Sequence, residues 1–258
     1  MKKALIVVSF GTSYPETRKK TIEAVENRMI ERFPECDVFR AFTSNMVIKK
    51  IKEQEGVKIP TVNQLMLELK EKGYKEVFVQ PLHVINGSEY SKALHQAKHF
   101  KNDFDVIEVG RPLMTEFEDY EEIVEWLRDL AQPLAEKEAV VLMGHGTQHS
   151  AFTAYACLDH MLSKDPVFIC AVESYPGVET VVERLKEANI EKVYLHPFML
   201  VAGDHATNDM ASDEEDSWKS QLTNAGFEVE PILKGMGEYP KIQNMFLEHA
   251  KKVVEGEE

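Results

Sequence analysis

One histidine of the sequence lies between two glycines, directly after an apolar run that favours a β-strand. The segment reads VVLMGHGTQHS, with Gly144 and Gly146 on either side of His145. Glycine has no Cβ, so the backbone beside this imidazole leaves room for a bulky ligand. A neutral imidazole binds divalent metals and is also the usual proton acceptor near pH 7. We therefore take His145 as a candidate metal ligand or base; a histidine that closes a tight turn is the alternative.

Two further side chains of related chemistry also follow apolar runs. Glu173 ends PVFICAVESYPG, and His205 stands in VAGDHATND with Asp209 four residues on. Two imidazoles and one carboxylate suit a divalent transition metal with open coordination positions, and the same groups could instead accept protons. No local motif such as H-E-x-x-H joins them. They make a site only if the fold brings the ends of their strands together.

Two other segments are singled out by their charge or by their place after a strand. In the first half, the loop QPLHVING carries His83 close to the end of a predicted strand. In the second half, the acidic run Asp213–Asp216 reads best as the solvated face of the next helix. His83 is therefore retained as a candidate, and the acidic run is not.

The elements that must position these side chains alternate along the whole chain. Short apolar runs rich in β-branched and aromatic residues are separated by amphipathic helical segments, which predicts βαβ units and a parallel sheet. The predicted strands are LIVVSF, DVFRAF, EVFVQPL, FDVIEVG, AVVLMG, PVFICAV, KVYLHPFML and FEVEPIL. One predicted helix carries apolar residues at i, i+3, i+4 and i+7, namely Val62, Leu65, Met66 and Leu69.

The two halves of this pattern match each other. The segment KEVFVQPLHVINGSE aligns with EKVYLHPFMLVAGDH, and SFGT at the end of the first strand aligns with GHGT. The sequence predicts an α/β fold with two similar, doubly wound parallel-sheet halves: an N-terminal half over 1–132 and a C-terminal half over 133–258, which carries the main candidate residues. Such folds bind ligands at the carboxyl ends of their strands, so we expect the active-site cleft between the halves.

Composition excludes several classes of protein. The 258 residues include 30 basic and 44 acidic side chains, a formal net charge of −14, which disfavours nucleic acid as a partner. No apolar run reaches the roughly 20 residues of a membrane helix. The three cysteines form no C-x-x-C pair, and the short apolar stretch after the N-terminal lysines fits a first strand better than a signal peptide. We expect a cytoplasmic protein with no membrane association. The usual nucleotide and nucleophile motifs are absent, so no nucleotide is expected.

At the level of longer segments the sequence closely resembles the anaerobic cobalt chelatases of cobalamin biosynthesis, a group of the class II, ferrochelatase-like chelatases. The resemblance covers nearly the whole chain and rests on SFGTSYPETR, HVINGSEY, LMGHGTQHSAFTAYACLDHM, VESYPG and LVAGDHATNDMASDEEDSWK. It implies two α/β halves with a tetrapyrrole cleft, and ATP-independent insertion of Co²⁺ into sirohydrochlorin. It also implies that the metal is a substrate and that no cofactor is permanently bound.

The resemblance assigns roles to individual residues. His145 falls on the family's metal-binding histidine and proton acceptor, while Glu173 and His205 fall on its other two metal ligands. Glu89 in NGSEY matches an acidic cleft position, which makes it a second catalytic candidate and a substrate contact. Apart from the resemblance, Phe10 is expected to form a wall of the tetrapyrrole site, because the duplication places it opposite His145. His83 is kept as a substrate-binding candidate because its loop lies close to the predicted cleft.

The carboxylates of sirohydrochlorin require local cations in so acidic a protein. The candidates by loop proximity are Arg18, Lys19, Arg40 and Lys92.

Three other functions remain open at this stage. Iron could replace cobalt, giving siroheme or haem, because the Irving–Williams order alone does not select Co²⁺ over Fe²⁺ in a cell. A two-lobed protein could carry a tetrapyrrole or metal without turnover, since fold does not fix function. A hydrolytic metalloenzyme could use the same side chains but would retain its metal tightly. The sequence is also compatible with a homo-oligomer.

Overall fold

Two parallel sheets of four strands share one strand order. The computed structural model describes residues 2–256. The first sheet consists of β1 (Lys3–Ser9), β2 (Cys36–Phe42), β3 (Glu76–Pro81) and β4 (Val106–Val109), in the order β2-β1-β3-β4. The second consists of β5 (Glu138–Gly144), β6 (Val167–Ala171), β7 (Lys192–Phe198) and β8 (Glu228–Pro231), in the order β6-β5-β7-β8. The predicted α/β class and the duplicated parallel sheets are confirmed.

The chain divides into two units, and two helices belong to a different unit from the one that the sequence predicted. The first unit runs to Thr115 and resumes at Gly237, and the second is Glu116–Met236. Helix α6 (Phe117–Ala131) packs on β6, and helix α10 (Pro240–Glu255) packs on β3 and β4. The predicted halves were 1–132 and 133–258. The structure differs because these two helices bury their apolar faces against the sheet of the other half.

The helices of the first unit lie between its strands, with α10 added from the end of the chain. They are α1 (Pro15–Lys20), α2 (Ile22–Arg32), α3 (Asn45–Glu55), α4 (Val62–Glu71) and α5 (Ser88–Lys98). A capping box starts α4, in which Thr61 Oγ1 accepts from Gln64 N–H and the Gln64 side chain accepts from Thr61 N–H. The four apolar residues that predicted this helix are all buried.

In the second unit the elements between strands are shorter. After α6 come α7 (Thr153–Met161), α8 (Val178–Glu187) and α9 (Trp218–Asn224), with a 3₁₀ turn at Ser150–Phe152 and a π-helix at Ala206–Met210. The acidic run Asp213–Asp216 lies in exposed turns before α9 rather than on a helix. That expectation was wrong, because Ser217 caps α9 by accepting from Ser220 N–H, so the helix begins at Trp218.

Each unit has its own apolar core, built from alternate strand residues and one stripe of each helix. In the first unit Ile6 and Val79 pack with Leu65 of α4 and Ala97 of α5. In the second unit the equivalent layer consists of Val141, Leu195, Val181, Leu185 and Trp218, with their neighbours. Burying one such side chain contributes about 1.5–3 kcal/mol, so these faces fix which helix covers which sheet.

The duplication extends to single hydrogen bonds in the loops. Tyr14 N–H donates to Thr12 Oγ1 after β1, and His149 N–H donates to Thr147 Oγ1 after β5. The glycine before each threonine has a positive φ, 95° at Gly11 and 84° at Gly146. The loops after β1 and β5 are therefore the same local structure with different side chains.

No helix among residues 2–256 combines the length and apolar character needed to cross a membrane.

Candidate metal centre

His145 lies in the loop after β5, and packing rather than ligand access explains the glycines beside it. A Cβ on Gly144 would lie 2.4 Å from the Tyr155 ring, and one on Gly146 would lie 2.7 Å from Ser174 Oγ. The space predicted for a ligand is filled by the protein's own side chains. The glycines let α7 and the loop after β6 approach the backbone and so hold His145 in place.

Tyr155 fixes this loop from inside the second unit. Its hydroxyl oxygen accepts a hydrogen bond from Gly146 N–H at 3.3 Å. Burial raises the pKa of Tyr155 to about 12, so the phenol stays neutral. Ser174 Oγ accepts from Thr147 N–H at 3.4 Å on the other side of the loop. Sequence reasoning missed both residues, because their roles depend on contacts between elements and not on a motif.

The structure brings the three predicted metal-ligating residues together at one edge of the second sheet. Glu173 N–H donates to the His145 carbonyl oxygen at 3.0 Å, which ties the loop after β6 to the loop after β5. The Glu173 Oε2 atom lies 3.9 Å from His145 Nδ1. The His145 and His205 rings meet edge to face with centroids 4.6 Å apart. Two imidazoles and a carboxylate thus share one small region.

Each of the two histidines uses one ring nitrogen within the protein. His205 Nδ1 lies 2.5 Å from Asp209 Oδ2, and His145 Nδ1 lies 3.1 Å from the Gly146 carbonyl oxygen. Both partners are acceptors, so in each contact the Nδ1–H is the donor. With the proton on Nδ1, the Nε2 atom of a neutral ring has a lone pair that can bind a metal or accept a proton.

His205 owes its position to an irregular stretch of helix. It directly precedes the π-helix Ala206–Met210, and Thr207 N–H donates to the Gly203 carbonyl oxygen at 2.9 Å. Single π-turns are frequent at functional sites because they reposition a side chain without ending the helix. Here the i, i+4 spacing places Asp209 against His205.

The three side chains are open to ligands but do not form a closed metal cage. Their exposed fractions are 39% for His145, 51% for Glu173 and 38% for His205. Within residues 2–256, no group of three or more His, Cys, Asp or Glu side chains has the geometry to hold a metal ion.

The first-unit candidates lie after the equivalent strands. Phe10 follows β1 and is 40% exposed. Glu89 is in the first turn of α5, and its buried Oε2 has no hydrogen-bond partner. His83 follows β3, and neither of its buried ring nitrogens has a hydrogen-bond partner. Burial and the nearby Lys92 ammonium lower the pKa of His83 to about 4, so its imidazole is neutral.

Matched hydrogen bonds pair the two units residue by residue. Ser44 N–H donates to the Phe10 carbonyl oxygen, as Glu173 N–H does to that of His145. Phe10 therefore corresponds to His145, and Ser44 corresponds to Glu173. The alignment that pairs Gly87 with Gly203 also pairs Glu89 with His205. The first unit thus keeps the backbone of the site but has Phe10, Ser44 and Glu89 in place of the three candidate metal ligands.

Of the four candidate cations, the two arginines are already paired with carboxylates. Arg18 contacts Glu55 at 2.5 Å, and Arg40 donates hydrogen bonds to Glu26. Lys19 is exposed on α1. Lys92 donates to the Thr43 carbonyl oxygen at 2.5 Å and lies 3.8 Å from Glu89 Oε2.

A family model and two curated relatives that match this chain are all described as cobalt chelatases. The model of the family described as cobalt chelatase (CbiK) matches residues 3–255. A sirohydrochlorin cobaltochelatase of Salmonella typhimurium is 46% identical over 251 residues, covering 96% of this chain and 95% of that protein. The sirohydrochlorin cobaltochelatase CbiKC of Nitratidesulfovibrio vulgaris is 31% identical over 258 residues, covering 98% and 91%.

Among solved structures, SirB from Bacillus subtilis with Fe³⁺ superposes with a TM-score of 0.63 at 16% identity. The match covers 100% of this chain and 98% of SirB. At this level of identity the likeness concerns the fold alone.

Proposed function

The chain belongs to the cobalt chelatase family, and from this membership we propose that it inserts Co²⁺ into sirohydrochlorin without ATP. The observation that carries the proposal is the meeting of His145, Glu173 and His205 at one sheet edge, in a chain 46% identical to a sirohydrochlorin cobaltochelatase. We further propose a cytoplasmic enzyme that acts on a tetrapyrrole and a divalent metal, with no permanently bound cofactor and no nucleic acid partner.

Metal insertion sets two requirements for the site. Two pyrrole N–H protons leave the macrocycle as one M²⁺ enters, so the protein must hold the ion and also accept protons. A cage with four or more strong ligands would retain the ion. Three ligands on exposed side chains leave coordination positions open, which allows transfer to the macrocycle nitrogens.

His145 is proposed to act first as a metal ligand and later as a base. Its Nε2 lone pair binds the ion before transfer. After transfer the same lone pair is free to take one pyrrole proton, and the Nδ1–H to Gly146 contact persists throughout. The two roles follow each other because one lone pair cannot serve both at once.

Glu173 and His205 are proposed to hold the ion with His145. Asp209 accepts the His205 Nδ1–H, which orients the ring and raises the basicity of Nε2. Glu173 contributes one negative charge, which offsets part of the ion's charge while leaving a net attraction to an anionic macrocycle.

The first-unit residues are proposed to act on the macrocycle rather than on the ion. Phe10 supplies an apolar wall, Glu89 is the second proton acceptor, and His83 is a neutral substrate contact. The position of Glu89 supports its role, because it lies in the first turn of α5 and the internal alignment pairs it with His205.

The proposal is tested by anaerobic absorbance spectroscopy of sirohydrochlorin with Co²⁺, against the uncatalysed rate and against Fe²⁺. We expect the enzyme to accelerate cobalt insertion more than iron insertion. A larger acceleration with Fe²⁺ would replace cobalt by iron as the substrate. A saturable spectral change on adding the tetrapyrrole, without metal insertion, would show a carrier and contradict the enzymatic function.

A further inference from the structure

Three polar side chains of the first unit have hydrogen-bonding capacity that the protein does not use. They are Thr43, His83 and Lys92, called here the Lys92 cluster. The Thr43 Oγ1 atom and both His83 ring nitrogens are buried without a hydrogen-bond partner. Burying such groups unpaired is unfavourable, so an unused donor in a folded protein calls for a ligand or water.

The cluster is assembled at the carboxyl edge of the first sheet. Thr43 N–H donates to the Ser9 carbonyl oxygen, and Leu82 N–H donates to that of Val8, so Thr43 and His83 flank the end of β1. Lys92, from α5, donates to the Thr43 carbonyl oxygen. His83 and Lys92 come from consecutive segments, the loop after β3 and the helix α5 that follows it.

The cluster is rich in donors and carries one cation. An ammonium group has three N–H donors, and one is used on the Thr43 carbonyl oxygen. The Glu89 carboxylate at 3.8 Å is beyond hydrogen-bonding distance, and 38% of the Lys92 side chain is exposed. The neutral His83 ring adds one N–H, and the Thr43 hydroxyl adds one O–H. Such a set suits an anion with at least two acceptor atoms.

Comparison with the second unit shows whether the duplicated fold itself requires polar side chains at these three positions. The equivalent backbone hydrogen bonds pair Thr43 with Val172 and His83 with Met199. The offset that pairs Gly87 with Gly203 pairs Lys92 with Asn208. At the three equivalent positions the second unit therefore has Val172, Met199 and Asn208 in place of a hydroxyl, an imidazole and a cation. The three polar side chains are specific to the first unit and are not required by its topology.

We propose that the Lys92 cluster binds a carboxylate side chain of the tetrapyrrole substrate. This inference rests on the proposed function for the identity of the ligand. Lys92 forms a charge-assisted hydrogen bond with the carboxylate, and His83 and Thr43 orient it. Because Glu89 offsets the charge of Lys92, direct hydrogen bonds carry the affinity and long-range attraction contributes little.

The test replaces each residue of the cluster by its second-unit counterpart, in Lys92→Asn, His83→Met and Thr43→Val. Metal-free sirohydrochlorin is titrated into each protein and followed by absorbance, and KM and kcat are measured with Co²⁺. Hydrogen bonds to charged groups contribute about 1.5–3 kcal/mol, so Lys92→Asn is expected to raise Kd and KM about tenfold or more. We expect His83→Met and Thr43→Val to raise them by about threefold to tenfold, with kcat changed less than KM.

Two controls separate this subsite from general charge effects. Lys98→Asn removes the same charge from the exposed end of α5 and is expected to leave Kd unchanged. Esterified sirohydrochlorin, whose carboxylates are blocked, should bind wild type and Lys92→Asn equally. Circular dichroism establishes that each variant folds. If His83→Met does not fold, Lys92→Asn still tests the subsite, because the Lys92 side chain is partly exposed and its replacement leaves the core intact.

The outcomes distinguish the subsite from the function. Cobalt insertion by the wild type together with an unchanged Kd in Lys92→Asn overturns the subsite and leaves the enzyme assignment intact. A Lys92-dependent Kd without insertion by the wild type supports the subsite and overturns the function.

Discussion

Each histidine of the candidate metal centre places its Nδ1 against an acceptor oxygen of the second unit. The Gly146 carbonyl oxygen and the Asp209 carboxylate each accept an Nδ1–H, so neither ring is free to choose its tautomer. Asp209 thus differs in function from the acidic residues that follow it, although all belong to one acidic stretch of sequence.

A prediction at the residue scale concerns Asp209. Asp209→Asn keeps the size of the side chain but removes the charge that orients and polarises His205. Residues in this position typically contribute 10- to 100-fold to metal affinity or activity. We expect Co²⁺ affinity and kcat to fall by about tenfold or more, measured by Co²⁺ titration and by the insertion assay.

The matched control is Asp213→Asn, which removes an equal charge from an exposed turn where Asp213 contacts Lys219 at 2.6 Å. Equal losses in the two variants would show that the general negative charge, and not the contact with His205, is responsible.

At the residue scale the sequence identified the candidate ligands but not the residues that hold their loops in place. The positions of His145, Glu173 and His205 after apolar runs made them candidates for one site, because parallel strands end at one edge, and the family resemblance singled out these three. The role of the flanking glycines was wrong, since Tyr155 and Ser174 come from other elements and no spacing links them to Gly144 and Gly146. The counterpart of Glu173, Ser44, was also missed because the loops between the first two strands of each unit differ in length.

At the scale of elements, close packing of α7 against the end of β5 is the clearest constraint on the loop that carries His145. Gly144→Ala places a methyl group 2.4 Å from the Tyr155 ring. We expect a loss of about 1–3 kcal/mol in the free energy of unfolding, measured by urea denaturation. The second-site change Tyr155→Leu should recover part of the loss. Full additivity of the two changes would contradict a direct clash.

A second prediction at this scale concerns the pH dependence of stability. His196 in β7 is 8% exposed, and burial with the nearby Lys234 lowers its pKa to about 4. The unfolded chain takes up a proton near pH 6.5 that the folded protein refuses, so stability falls as the pH falls from about 6.5 toward 4. This group alone is expected to lower the free energy of unfolding by about 2 kcal/mol between pH 7.5 and pH 5.

The measurement compares urea midpoints of the wild type and His196→Gln at the two pH values. We expect a smaller decrease in the variant. His160→Gln, at an exposed position of α7, serves as the control. A pH dependence in His196→Gln as steep as that of the wild type would contradict the assignment.

On the scale of the whole molecule, the two units are duplicated in backbone and divergent in chemistry. The second carries the proposed metal ligands His145, Glu173 and His205, and the first carries Phe10, Glu89 and the Lys92 cluster. The number of strands, their parallel arrangement and the duplication were predictable from periodicity and internal alignment, whereas the strand order comes from the structure. The sequence did not predict that α6 packs on the second sheet and α10 on the first. An amphipathic stripe shows that a helix packs against an apolar surface, but it does not show which sheet provides that surface.

Because the C-terminal helix α10 belongs to the first unit, a mutation in its core face is expected to destabilise the first unit and not the second. Phe246 of α10 is fully buried, and truncation of a buried phenylalanine to alanine costs about 3–5 kcal/mol. We expect Phe246→Ala to lower hydrogen-exchange protection mainly in peptides of 2–115, although the residue lies at the end of the chain. Phe198→Ala in β7 should affect mainly 116–236. Loss of protection by Phe246→Ala confined to 133–256 would contradict this division.

The most direct test of the account as a whole is the rate of cobalt insertion by His145→Ala under anaerobic conditions, measured by absorbance at saturating sirohydrochlorin and Co²⁺. His149→Ala is the control, because His149 is an exposed histidine of the same loop. If His145 is both ligand and base, its loss should reduce kcat by about 100-fold or more, while His149→Ala stays within about twofold of the wild type. Turnover by His145→Ala at the wild-type rate would contradict the central claim that this sheet edge carries the reaction.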